Sequence, residues 1–422
     1  MKLEKTFVKA GALVYAIFIM LITLIVIGTL ITIAYYHRTY IGSELARQNL
    51  VSYTNSILTA AITDSTLSFP WDAADLELTE NTKYGFSVTK EPWGGYQIFT
   101  ATCTFSKFSY TKKMLCGAKG ILDENIALYL ADNNNAISIS GKTQLIGNCY
   151  LPKSGIKAAY MEGDYYRGKK LVYGDILVSN NSLPAFNTEY LASVTELLEG
   201  KIKSTDSIID FTEIKSTEFT NSFYQKTLYF VSKDSLYLNN CKFIGNIVII
   251  CSKPVTIFSN AEFADVMLFA PKITFKKGVI ANLQAYASDT LIIEPDVHLT
   301  FPGIVAVANN KNLGLLVLNQ KARIDGTVWM TKNSNEKENK NACYVHKEAY
   351  LHGIAYIEGK ISLQGNIDGA LYAEKFFLKT VASYYENYIF NVEINAQKRL
   401  PYYSSAALDN KRGFKLIKIL EP

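Results

Sequence analysis

Ile324-Asp325-Gly326-Thr327-Val328-Trp329-Met330 carries a seven-residue pattern: apolar, any, Gly, any, apolar, any, apolar. It returns as Leu351-His352-Gly353-Ile354-Ala355-Tyr356-Ile357 and as Ile367-Asp368-Gly369-Ala370-Leu371-Tyr372-Ala373. Earlier copies occupy 145–151, 172–178, 243–249 and 301–307. Degenerate copies begin at Phe263 and Val279, with Asp265 and Ala281 in the glycine slot. From Phe243 onward, successive copies begin 20, 16, 22, 23, 27 and 16 residues apart. Short strands at a period near 20 residues, each punctuated by glycine or a polar turn, predict a parallel β-helix, that is, a β-solenoid. One coil cannot bury its inward side chains alone, whereas coils stacked at the ~4.8 Å strand spacing share an interior and pair their amides. Glycine suits a corner with no room for a Cβ. A two-sheet sandwich would need hairpin turns every ~8–12 residues. Asp-Gly dipeptides occur in the repeats only at Asp325-Gly326 and Asp368-Gly369.

Outward from this repeat the chain reads as a mainly β protein on a single anchor. Residues 11–34 are an apolar run without a charge, long enough to cross a bilayer as a helix. Lys2, Lys5 and Lys9 precede it and Arg38 and Arg47 follow, which favours a cytoplasmic N-terminus and an exported remainder. A cleaved signal peptide would have a shorter apolar core and a small-residue cleavage site. Beyond the span, Ile41, Leu45, Leu50, Tyr53, Ile57, Leu58, Ala61 and Ile62 recur at roughly helical spacing and predict an amphipathic stalk. Residues 84–89 and 96–102 flank a Pro-Trp-Gly-Gly turn and predict an antiparallel unit, with a third strand at 112–117.

The expected organisation is a cytoplasmic N-terminus (1–10), a transmembrane helix (11–35), a stalk (36–70), a small antiparallel β unit (71–124), a β-solenoid (125–380) and a C-terminal cap (381–422). Insertions are expected at 184–225 and 331–347. The first contains an amphipathic helix at 188–203, and 331–341 reads as a solvated loop with balanced charge.

The first ~115 residues resemble bacterial type IV minor pilins and pseudopilins: Lys9-Ala10-Gly11-Ala12-Leu13, a long apolar helix, an amphipathic continuation, then β structure. If Gly11 matched the processing glycine of those families, Ala16 would stand where they usually carry glutamate. Residues 145–375 resemble bactofilin-type and other parallel β-helix proteins with Gly-punctuated coils; that resemblance implies coil geometry.

The chemistry is sparse. Net charge is +5 with no dense basic patch interleaved with aromatics, which argues against nucleic acid. No phosphate-cradling loop, nucleophile elbow or metal-spaced cluster occurs, so no cofactor or metal is expected. The six cysteines form no CxxC. In an oxidising compartment Cys103–Cys116 would close a hairpin and Cys241–Cys251 would join neighbouring strands; otherwise all are small buried apolar residues. Asp325, His352 and Asp368 fill the second position of three consecutive copies and so are expected on one face, ~5 Å apart. Two carboxylates flanking an imidazole form an acid–base set, whereas Asp before Gly at a solvent-facing corner is also ordinary turn chemistry. His298 reads as isolated.

The expected function is a non-enzymatic, membrane-anchored exported protein of structural, adhesive or pilus- or secretion-apparatus-like assembly type. It would sit in a bacterial inner membrane, with Tyr, Phe and Lys displayed along a rigid rod for protein partners or self-assembly. The alternatives are a glycan-cleaving β-helix enzyme using Asp325, His352 and Asp368, and an anchored polymer-forming scaffold.

Overall fold

The computed structural model describes residues 11–63, 71–72, 84–118, 125–202, 207–213, 216–308, 313–333, 339–379, 383–399 and 413–421. The protein is mainly β, with one long N-terminal helix, a small antiparallel sheet and a large parallel sheet. It divides into two compact units: residues 1–59, 70–88 and 101–112, and residues 60–69, 89–100 and 113–422. The antiparallel sheet has the order Trp71–Asp72, Tyr84–Trp93, Tyr96–Phe105, Phe108–Ala118, Phe414–Leu420 and contributes residues to both.

The expected span and stalk are one continuous helix, Gly11–Thr63, of which residues 11–59 belong to the first unit. Residues 64–70, where the stalk was expected to end, and residues 1–10 lie outside the described residues. Positions 11–42 are exposed all round, including Leu13, Ile17, Leu21, Leu24, Ile31 and other large apolar side chains. This part is long and apolar enough to cross a membrane. Further on, Ala46, Leu50, Thr54, Ile57 and Leu58 are buried at i, i+4 spacing. There the helix lies on the antiparallel strands. Tyr53 packs edge-on against Tyr84, Asn55 Oδ1 accepts from Lys112 Nζ at 2.6 Å, and Arg47 sits over the Phe108 ring.

In the second unit the four copies from 301 to 373 pair in parallel with their glycines in register. Gly326 lies opposite Gly353 and Gly353 opposite Gly369. One column of Cα partners runs Ile209, Phe230, Ile249, Leu268, Ala285, Val305, Val328, Ala355, Leu371, Leu128, Cys149, Ile176. From Phe230 to Cys149 all of its members belong to one apolar core. Long bent strands join this ladder to the others. Glu262–Phe275 pairs with Lys242–Cys251 through its first part and with Val255–Ile257 through its last, and the parallel sheet closes on itself.

The order of layers in space differs from the order in sequence. The chain enters the stack at Ile126–Leu130, which lies beside the last repeat, Asn366–Lys379. It adds Asn148–Leu151 and Ile176–Val178, then returns through the helix Thr188–Leu198 to begin again at Ser207–Asp210. Asn187 caps this helix by accepting from Tyr190 N. Two expected insertions are thereby corrected. Within 184–225, Ser207–Asp210 and Glu218–Asn221 are paired members of the parallel sheet. Within 331–347, Ala342–Val345 pairs with strands on both sides.

The expected cap at 381–422 is corrected too. Ile394 lies between Ile367 and Leu145, and Tyr388–Phe390 runs parallel to Ile137–Ser140. The tail therefore fills a layer inside the stack, between the last repeat and the first. Phe414–Leu420 then joins Phe108–Ala118 in the antiparallel sheet.

The aromatic residues are mostly not on display. Phe269, Tyr286, Trp329, Tyr356, Tyr372 and Tyr129 form a column on the other side of the same ladder and are buried. Tyr190 and Val194 of the return helix, with Phe186, Trp93 and Tyr96, share that apolar cluster. Apolar side chains on both faces of these strands are what a parallel sheet covered on both sides requires. The expectation that in-register aromatics face a partner is overturned for this column.

Candidate functional site

The strand register brings Asp325, His352 and Asp368 together as adjacent Cα partners. His352 Nδ1 lies 2.8 Å from Asp325 Oδ1, and its Nε2 lies 3.3 Å from Asp368 Oδ2. His298, read from the sequence as isolated, joins them, with Nε2 2.7 Å from Asp325 Oδ2. Arg323 and Tyr350, also missed, occupy the column two residues upstream, since His298 pairs with Arg323 and Arg323 with Tyr350. Residues i and i+2 of a strand share a face. Arg323 Nε donates to Asp325 Oδ1 at 3.0 Å, and the Tyr350 hydroxyl donates to Asp368 Oδ2. The tail completes the cluster: Lys398 Nζ lies 3.9 Å from Asp368 Oδ1 and 2.8 Å from Glu393 Oε1. The signal available in sequence was the i−2 position of each copy; it was hidden at His298 by a register shift between Leu299 and Gly303.

Asp325 and Asp368 are buried rather than solvent-facing, at 8% and 4% exposure. Burial pulls the Asp325 pKa upward, but hydrogen bonds from His298, Arg323 and His352 outweigh it and hold the carboxyl below its ordinary value. Tyr350 is pushed up, first by burial and then by its bond to Asp368. Glu393 is held down chiefly by its bond from Lys398. The line Tyr350–Asp368–His352–Asp325–His298 can hold and relay protons, and each carboxylate in it already meets several donors. Among the described residues no group of three or more His, Cys, Asp or Glu is arranged to hold a metal ion.

Because the folded-state pKa of Asp325 is depressed, its contribution is present above the ordinary carboxylate pKa and fades as pH falls through the folded value. Stability is thus expected to drop as pH falls below about 4. Asp325→Asn is expected to cost about 3 kcal/mol near neutral pH, since it leaves partly buried donors facing a poorer acceptor. It is also expected to flatten that acid limb. Urea titrations of both proteins across pH 3–7 check both statements.

A second polar group gathers where 331–341 was expected to be an inert loop. Lys332 Nζ contacts Glu374, Lys332 N donates to Glu358 Oε2 at 2.8 Å, and Asn339 Nδ2 donates to Glu374 Oε2 at 3.1 Å. Asn341 is fully buried. Burial raises the Glu358 pKa. Residues 334–338 lie outside the described residues. Elsewhere, a cleft of about 330 Å³ is lined by Lys90, Tyr96, Asn187, Glu189, Tyr190 and Phe414, among others.

All six cysteines are free thiols, so neither of the pairings open in the sequence, Cys103–Cys116 or Cys241–Cys251, is made in this structure. Cys116 faces Leu416, and burial lifts its pKa to about 12. Cys251 ends the ten-residue strand Lys242–Cys251, which Cys241 immediately precedes. At ~3.3 Å per residue the two stand at opposite ends of that strand, too far apart for a bond.

The fold and these clusters define a mainly β protein with one N-terminal helix long and apolar enough to span a membrane. No protein-family model and no curated protein matches the chain. Among solved structures it is similar to the competence-associated pilin ComZ from Thermus thermophilus, at 7% identity, covering 84% of this chain and 86% of that chain, with a TM-score of 0.22.

Proposed function

We propose that this chain is a membrane-tethered, exported structural protein of pilin- or pseudopilin-like assembly type. In this reading its parallel sheet is a β-solenoid held outside a bacterial inner membrane. The observation that carries the reading is the helix Gly11–Thr63, exposed and apolar over its first part and packed on antiparallel strands over its later part. An exposed apolar helix surface is unfavourable in water at ~25 cal/mol per Å² and is satisfied by lipid. The register supports the solenoid reading, because the four copies from 301 to 373 pair in succession along one parallel ladder. A reporter fused after Pro422 tests the topology. It should be active only when exported, and activity confined to the cytoplasm would defeat the proposal.

A second reading is favoured by the convergence of Asp325, His352 and Asp368 on one ladder. In it, the acid–base line acts on a glycan. His352→Ala and Asp368→Ala would then abolish glycan cleavage while leaving the folded state intact. The density of internal hydrogen bonds favours the structural reading, in which the line ties Lys398 and Glu393 of the tail to the repeats.

A further inference from the structure

Lys332 follows immediately on the strand Arg323–Thr331, and Glu374 lies within Asn366–Lys379. Between these two strands runs Tyr350–Leu363, which pairs with both and carries Glu358. The Lys332 side chain therefore reaches over a whole intervening strand, two steps of ~4.8 Å, to meet the Glu374 carboxylate. The two side chains are 34% and 19% exposed. Among the described ion pairs no other lysine is so enclosed.

Both partners are held in place. Lys332 N donates to Glu358 Oε2 at 2.8 Å, which fixes the backbone from which the side chain starts. Asn339 Nδ2 donates to Glu374 Oε2 at 3.1 Å, while Oε1 faces the amine. Buried Asn341 donates to Thr331 O and Glu358 O and braces the corner. A second carboxyl is coupled to the pair. Burial pushes the Glu358 pKa up against the pull of Lys332, and the charge of Glu374 adds to the rise. Glu358 thus takes up a proton more readily than an ordinary carboxylate does. The Tyr356 hydroxyl donates to its Oε1 at 3.3 Å.

An amine, a carboxyl pinned against it and a neighbouring group that takes up and returns protons are the parts an amide bond needs. We propose that Lys332 and Glu374 join in an intramolecular amide, Nζ to Cδ, with release of one water. Nζ sheds two of its three ammonium protons, and both leave with Oε1 of Glu374 as that water. Glu358 carries protons from Nζ to the departing oxygen and ends as it began. Asn339 donates to Oε2, where negative charge gathers as Nζ adds to Cδ. No oxidant, reductant or activated donor enters. Groups held in reacting geometry reach effective molarities of about 10⁵–10⁸ M, which favours the bond over its hydrolysis. The bond ties one layer of the stack to the second layer beyond it, in a chain whose six cysteines make no cross-link. The inference goes beyond the proposed function and holds whether or not the chain is exported.

The test is peptide mass mapping of the full chain, purified in detergent and digested after denaturation. The wild type should yield a branched peptide joining Lys332 to Glu374, one water lighter than its two arms together. Lys332→Arg keeps the positive charge but has no amine to form this bond, and should give the two arms separately at full mass. Glu358→Gln keeps the shape of the corner but carries no proton. It should also give separate arms, since a positioned acid–base group contributes about 10²–10⁴-fold to rate. A wild type whose arms are separate would overturn the proposal, and that measurement needs no variant to fold. So would a branched peptide that survives Lys332→Arg, or one lighter by an ammonia, which would assign the acyl group to Asn339 or Asn341. A Glu358→Gln protein as fully linked as the wild type would overturn the role given to Glu358.

Discussion

A chain ending at Lys379 is expected to lose the cooperative folding of the whole parallel stack, not merely to fray at one end. The removed tail supplies Ile389, Val392, Ile394 and Ala396, all at or below 5% exposure. Ile394 alone bridges two separate parts of the ladder, Ile367 on one side and Leu145 on the other. Burial of the three larger side chains is worth roughly 1.5–3 kcal/mol each. Their loss therefore approaches the whole of a typical net stability of about 5–15 kcal/mol. Deletion also removes Lys398 and Glu393 from the cluster around Asp368, and the strand Phe414–Leu420 from the antiparallel sheet. Thermal unfolding followed by circular dichroism, together with limited proteolysis, reads the outcome. A truncated chain that keeps a single transition within about 1 kcal/mol of the full chain would show the tail to be a dispensable end cap.

The pairing of the last copies was legible because their glycines answer a backbone requirement. Gly326, Gly353 and Gly369 fall opposite one another, and their spacing in the sequence is the spacing between paired strands. The degenerate copies were less informative. Ala281 stands in a glycine slot yet pairs with Leu299, and register shifts break the ladder between Ala270 and Lys272 and between Leu299 and Gly303. A period read from sequence carries no record of which layer is stacked on which. The excursion from Ile176–Val178 back to Ser207–Asp210, and the tail strand between Ile367 and Leu145, are long-range choices that no local pattern encodes. For the same reason the aromatic column was misread. Tyr286 and Trp329 alternate with core residues along their strands, which marks an outward face, but the return helix, with Phe186, Trp93 and Tyr96, covers this face. Tyr190 reaches across from that helix, its hydroxyl 3.0 Å from that of Tyr286 and 3.2 Å from Trp329 Nε1.

The polar line shows the same division. Asp325, His352 and Asp368 were legible because they share one slot of the repeat. His298 and Arg323 were not, because they lie outside the seven-residue pattern and reach Asp325 only through strand register. Lys398 was not, because it arrives from the tail. Burial was misjudged as well: a residue preceding glycine was expected at a solvent-facing corner, whereas the Tyr350 and Lys398 side chains close over Asp368.

Gly353→Ala is expected to destabilise the second unit by about 3 kcal/mol, at the upper end for a single added methyl group. Two costs coincide there. The backbone has φ +139°, a region that L side chains rarely adopt, at ~1–3 kcal/mol. A Cβ would also sit 1.8 Å from the carbonyl oxygen of Gly326, a backbone atom with no rotamer through which to retreat. The strand must then move away from its neighbour, and Gly369 suffers next, because its own Cβ position lies 1.8 Å from Gly353 O. Gly369→Ala should therefore cost a similar amount, and the double variant should cost at least the sum, since the strand that retreats from Gly326 is pressed towards the methyl group added at 369. Gly42→Ala is the control. It lies in the helix Gly11–Thr63 with nothing within 4 Å of a Cβ, and the change should strengthen the helix by up to ~1 kcal/mol. Urea unfolding of the four proteins separates the cases. If Gly353→Ala and Gly42→Ala behaved alike, close backbone contact would not be the reason for glycine in the repeat, and the register argument that rests on it would fail.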